Sequence, residues 1–218
     1  LLEKINQNDW ISALGDGVWA YLIIPDPVLR SELVERGAIR QSIETGQQVA
    51  RQVRERFPGR RAAEILDNLG ARVILSQDNP RWGSRLQCAE YQQRPPQVTI
   101  YERAMEEMAR VAEDFRLDLF ADPTVMREVS LSHELYHHLE RTEYSPVSKQ
   151  FRLVSKRIGP FTFYKRAAQL DEIAAHAFAQ ELCGLSSSPG ILDLLMRYTS
   201  AAGRSNLFRQ SQEIHTLD

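Results

Sequence analysis

Asp122-Pro-Thr-Val-Met-Arg-Glu-Val-Ser-Leu-Ser-His-Glu-Leu-Tyr-His-His-Leu-Glu-Arg141 carries the signals of one long helix. Asp122 is an N-cap residue, Pro123 fits the first turn, and Val125, Val129, Leu135 and Leu139 provide an apolar stripe that anchors the helix. Within it stands His133-Glu134-Leu135-Tyr136-His137, an HExxH pattern. Residues four apart share a helix face, so both imidazoles can reach one metal ion while Glu134 stands beside the remaining position. Small Ser130 and Ser132 leave room near that turn. Zinc accepts imidazole nitrogen and carboxylate oxygen, and a catalytic site keeps three protein ligands plus a water. A neighbouring glutamate deprotonates that water for attack on a carbonyl.

Two histidines leave a third ligand to be found, and Asp171, Glu172, His176 and His215 are the downstream polar candidates. Glu172 is the preferred one. It lies in a helical run, Asp171 to Cys183, whose alanines permit close approach to the HExxH helix and which Gly184 ends. His176 is one turn beyond on the same face, placed to orient the carboxylate, contact substrate or replace Glu172 as ligand. Asp171, at the start of the run, reads as a helix cap. Peptide hydrolysis also calls for an oxyanion donor, for which Tyr136, His138, Tyr164 and His176 are available. Tyr136 and His138 face away from the ligands and read as packing residues. Tyr164, in Phe161-Thr-Phe-Tyr164, either closes over the site or belongs to the core.

Working outward, 218 residues and 25.0 kDa allow one compact domain, with 43% hydrophobic and 26% charged residues typical of a globular chain. A formal charge of −2 provides no field for nucleic acid or anionic lipid. Cys88 and Cys183 are too few for a disulfide framework, so a reducing, cytoplasmic setting is expected. The longest apolar run, Val18 to Ile24, stops at Pro25 and is too short to span a membrane. That run is β-leaning, and Asp26-Pro27 then opens a short helix closing near Gly37. Helices are expected from Gln47 to Phe57 and Arg61 to Leu69, followed by strands at Arg72 to Ser76, Leu86 to Tyr91 and Gln97 to Tyr101. A helix from Glu102 to Leu117 precedes the HExxH helix, residues 142–166 are mixed, and Ile191 to Tyr198 is helical. Either of the last two strands could present the edge along which a peptide lies. Arg51, Arg54, Arg56, Arg60 and Arg61, interrupted by Glu55 and Glu64, read as a solvated helix face, and no aromatic platform for nucleic acid accompanies them. The expected fold class is α+β: mostly helical, with a small, mostly antiparallel three-stranded sheet. Residues 1–46 form an N-terminal arm packed on the core, 47–203 the domain, and 204–218 a polar tail.

His133-Glu-Leu-Tyr-His137 followed by Glu172-Ile-Ala-Ala-His-Ala-Phe-Ala-Gln-Glu-Leu182 resembles the helix pair of gluzincins, specifically of ImmA/IrrE-type metallopeptidases. The correspondence lies in the histidine pair, the glutamate helix, the polar residue at His176, Phe178-Ala179 and Glu181-Leu182. It spans roughly residues 47–185. The resemblance implies one zinc per chain held by His133, His137 and Glu172, with Glu134 as general base. It also implies limited, regulatory cleavage of a protein or peptide, such as a transcriptional repressor or antitoxin-like protein. Three features depart from the family pattern: the spacing from His137 to Glu172 is long, the Glu102 to Leu117 helix is additional, and His176 stands where asparagine or aspartate is commoner. The same fold would also serve a zinc-binding regulatory module that binds a partner without cleaving it.

Overall fold

A computed structural model describes residues 18–82, 85–115 and 117–197. Trp10, His215 and the tail from residue 204 lie outside the described residues. Nine α-helices and seven strands are described: α1 (Val18–Leu22), α2 (Pro27–Glu35), α3 (Ala38–Arg56), α4 (Ala62–Asn68), β1 (Arg72–Ser76), β2 (Arg81–Trp82), β3 (Arg85–Leu86), β4 (Ala89–Gln92), β5 (Gln97–Tyr101), α5 (Glu102–Asp114), α6 (Asp118–Ala121), α7 (Pro123–Thr142), β6 (Arg152–Ile158), β7 (Phe161–Arg166), α8 (Gln169–Cys183) and α9 (Gly190–Arg197). A short 3-10 turn, Val147–Lys149, follows α7. The architecture is a mostly helical α+β, zincin-like core with one small three-stranded sheet.

Three of the caps read from sequence hold, those of Asp26, Asp122 and Gly184. Asp26 accepts from the Val28 and Leu29 amides, and Asp122 accepts from Thr124 N at 2.7 Å, opening α2 and α7. Gly184 closes α8 at φ 65°, in the left-handed region that glycine enters without steric cost.

Three expectations are corrected. Val18 to Ile24 is helical over Val18–Leu22 rather than extended, and every residue of the run but the partly buried Tyr21 is buried. An apolar run of this length has no exposed face, and periodicity then cannot separate strand from helix. The helix expected from Gln47 begins at Ala38, so α3 runs through Thr45 and Gly46. The sheet is mixed rather than mostly antiparallel: its order is β1-β5-β4, with β5 parallel to β1 and antiparallel to β4. A parallel pair needs a crossover of a dozen or more residues, and the twenty between Ser76 and Gln97 supply it, with β4 and the β2-β3 hairpin on the way.

Helix α7 is the hub, touching α4, α5, α6, α8, β4 and β5, while α8 lies between α3 and α7. The closest approach of α8 is to α3: a Cβ on Gly46 would stand 2.1 Å from the Ala174 carbonyl oxygen. The alanines of α8 therefore serve the α3 contact as well as the expected one with α7. Arg51, Arg54 and Arg56 of α3 are exposed, as a solvated face requires, and two of them also tie the helix to its neighbours. Arg54 donates to the Glu181 carbonyl, and Arg56 pairs with Glu143 at 2.8 Å. No helix among the described residues is long and apolar enough to cross a membrane.

Candidate metal centre

Packing on several sides buries α7 with one opening. From Leu131 to Glu140 every residue is buried except His133 and His137, which are partly exposed. Both rings share the face directed at α8, where Glu172 sits in the first turn. His133 Nε2 and His137 Nε2 stand 3.2 Å apart. The Glu172 oxygens lie 3.4 Å from His133 Nε2 and 3.6 Å from His137 Nε2. Ligands about 2.0–2.1 Å from zinc at tetrahedral angles are separated by about 3.3 Å; each histidine meets a different oxygen of the Glu172 carboxylate near that spacing, and one ligand atom from each residue lies within 4.8 Å of the other two. Two imidazoles and a carboxylate are also the donor set that zinc takes with a position left open. The residues fit the ion, and the triad is a potential zincin-like metal site.

Further groups hold the ligands in place. Glu140, one turn after His137, sets Oε2 3.2 Å from His137 Nδ1, fixing Nδ1 as the protonated nitrogen and leaving Nε2 to face the other ligands. Burial opposes a charge on His137, but the hydrogen bond to Glu140 and the Glu172, Glu134 and Glu140 charges outweigh it and lift its pKa to about 9. Glu172, about half exposed at 49%, shows the reverse balance. Partial burial disfavours its anion, yet the hydrogen bond and charge of His133, with His137 and His176, hold its carboxyl far below the usual range. Asp171 is not a helix cap: it accepts from Ser148 N at 2.8 Å and from Ser148 Oγ, tying α8 to the 3-10 turn.

Glu134 is buried, and desolvation raises its pKa against the lowering influence of His133, His137 and the Tyr91 backbone N–H. It lines a cleft of about 490 Å³ together with His133, His137, Glu172 and His176. One wall is β4. The Cys88 carbonyl bonds Tyr101 N and Glu90 pairs with Thr99, so Ala89 and Tyr91 direct their backbone groups away from β5. The two candidate edges are thereby distinguished: β5 is paired on both sides, and β4 borders the cleft. Met108, Met126, Val129 and Leu192 give the cleft an apolar lining.

His176 is buried beside His133, their ring centroids 4.6 Å apart, with Trp19 edge-on at 5.7 Å. Its Nε2 is 3.8 Å from Asp193 Oδ2, and neither ring nitrogen has a hydrogen-bond partner among the described residues. Burial and the neighbouring His133 keep it neutral, with its pKa lowered. Tyr136 packs against Phe178, and His138 Nδ1 lies 3.1 Å from the Tyr91 hydroxyl, so both are the packing residues expected. Tyr164 does not line this cleft; it borders a separate cavity. Three residues of the site escaped sequence reasoning. Glu140 had a signal in its position one turn after His137, whereas Tyr91 and Asp193 are brought in only by tertiary structure.

No family model, curated protein or solved structure matches the chain. The class of site is accordingly defined by the cluster itself, an HExxH helix completed by a glutamate from a second helix.

Proposed function

We propose that this chain is a zinc-dependent peptidase in which His133, His137 and Glu172 hold one zinc ion and Glu134 is the general base. The observation that carries this reading is that His133, His137 and Glu172 bring one ligand atom each to within 4.8 Å of the others, on one wall of an open cleft. When bound, zinc polarises a carbonyl and acidifies a water. Glu134 is buried beside the ligands, and a carboxylate of raised pKa is suited to accept a proton and return it to a leaving amine. The backbone groups of Ala89 on the outer edge of β4 are placed to hold an extended polypeptide by strand addition. The methionines and Leu192 would receive an apolar side chain. His176 stands where it can touch substrate or steady Glu172.

The substrate class is a protein or peptide. The resemblance of the helix pair to ImmA/IrrE-type enzymes supports limited cleavage of a repressor- or antitoxin-like protein over general digestion. The test is Glu134→Gln, followed by mass spectrometry on a mixture of unfolded polypeptides. The variant should keep its zinc and lose at least about 100-fold in cleavage rate. A variant that cleaves as fast as the parent would contradict the assignment of the base.

A further inference from the structure

Between α7 and α8 the chain takes an excursion that the metal centre does not use. Residues 144–170 contain six cations, Lys149, Arg152, Lys156, Arg157, Lys165 and Arg166, and no Asp or Glu. The segment forms the antiparallel β6-β7 hairpin. Its base is fixed to the body: Leu153 is buried, Arg36 donates to the Arg152 carbonyl at 3.1 Å, and Gln41 donates to Gln150 at 2.7 Å. Beyond the base it is uncovered. Every residue of β7 is exposed, Phe161 at 67%, and Val154, Ile158, Phe163 and Tyr164 are exposed as well. Five of the nine exposed large hydrophobic side chains among the described residues are therefore gathered on this one hairpin. Scattered single exposures need no explanation, whereas a concentration of this kind marks a contact surface.

Apolar groups lead at the tip and four cations gather toward the base, with Lys156 and Arg157 between them, opposite Phe163 and Thr162. Ile158 pairs with Phe161 at the tip, where Gly159-Pro160 makes the turn, while Arg152 pairs with Arg166 and Leu153 with Lys165 at the base. At about 3.3 Å per residue, Lys165 stands about 13 Å behind Phe161 and Phe163 about half as far. Apolar groups of interfacial anchors enter the headgroup–acyl boundary by about 5–10 Å. A hairpin immersed to Phe163 would bring Lys165 and Arg166 to the level of lipid phosphates. At that level lies a cavity of about 320 Å³ lined by Lys149, Arg152, Tyr164, Lys165 and Arg166. Four cations and a phenol suit a phosphate monoanion or diester.

We propose that the β6-β7 hairpin docks the protein on a bilayer containing anionic phospholipid, its apolar tip entering the interface and its basic base holding headgroup phosphate. A single-stranded nucleic acid fits less well. Phe161, Phe163 and Tyr164 have planes for stacking, but Val154 and Ile158 beside them have none, and the Ile158-Gly-Pro-Phe161 tip is itself uncharged, its nearest cation being Arg157. The proposal is independent of the metal centre and of the peptidase reading.

The test is sedimentation of the full chain with vesicles of phosphatidylcholine alone or with about 30% phosphatidylglycerol, at about 0.15 M salt. The anionic vesicles should bind at least about tenfold more protein. Phe161→Ser/Phe163→Ser and Lys165→Glu/Arg166→Glu should each lose at least about tenfold of that binding, with thermal midpoint and zinc content unchanged. Equal partition onto both vesicles, no binding to either, or variants that bind like the parent would overturn the proposal. So would tighter binding to a single-stranded oligonucleotide lost in the same variants, or a dimer that dissociates when the phenylalanines are replaced.

Discussion

His133 and His137 are the only residues between Leu131 and Glu140 that escape burial, and the chemistry of the site follows from that exposure pattern. Glu140 is the residue whose removal probes it most selectively. It touches His137 Nδ1 and no proposed ligand position, so Glu140→Ala should leave the ligand set intact but lower zinc affinity by about 10- to 100-fold, measured by competition with a chelating dye. The cysteines behave in the opposite manner to ligands. Burial, with the Asp193 and Glu107 charges, pushes the Cys88 thiol up to about 12. Because only the thiolate is alkylated, roughly one Cys88 in ten thousand is reactive at pH 8. Its native alkylation rate should rise about tenfold per pH unit from pH 7 to 10 without a plateau, while in urea it should level off above the ordinary thiol pKa of about 8.5. A native plateau near that value would show that Cys88 is not buried as described. The histidine pair was legible in the sequence because a four-residue spacing on a capped helix is local information. Asp193 and Tyr91 were not, because α9 and β4 reach the cleft only through tertiary packing.

At the scale of elements, the centre depends on two helices held in register by a third. Gly46 of α3 lies against the Ala174 carbonyl, two residues beyond Glu172 on α8. Helix α3 has no freedom to yield there without moving α8 away from α7. Gly46→Ala should therefore destabilise the protein by about 1–3 kcal/mol or more despite the better helix propensity of alanine, read as a lowered midpoint of thermal unfolding. An unchanged or raised midpoint would mean that α3 and α8 are not in contact at this glycine. The HExxH helix, α8, the Asp26, Asp122 and Gly184 caps and the strands β1 and β5 could be read from the sequence, since periodicity and capping residues are local; the strand expected over Leu86 to Tyr91 is interrupted at Gln87-Cys88. The mixed order of the sheet could not, because β1 and β5 pair across twenty intervening residues. The Val18 to Ile24 segment was misread for a related reason: a run that is apolar throughout, and buried but for a partly covered Tyr21, displays no period. The β6-β7 hairpin escaped notice because its strands carry basic and aromatic residues on both faces instead of an apolar alternation.

For the whole molecule, a net charge of −2 averages a strongly basic hairpin against an acidic remainder, and composition alone conceals the asymmetry. A metal held by the triad would have a global role too. It would join α7 to α8, the hub of the fold to the helix that binds α3, so its removal should be felt beyond the cleft. Ligand present at about 100 times its dissociation constant stabilises by about 2.7 kcal/mol, which for a chain of this size corresponds to about 5–10 °C. Chelation should lower the unfolding midpoint by that amount, and added zinc should restore it; an unchanged midpoint would separate the cluster from folding stability. The central claim is tested most directly by elemental analysis of zinc per chain, for the parent protein and for His137→Ala, purified without chelator and offered zinc. The account predicts about one zinc in the parent and little in the variant. No zinc in the parent, or the same content in both, would contradict it.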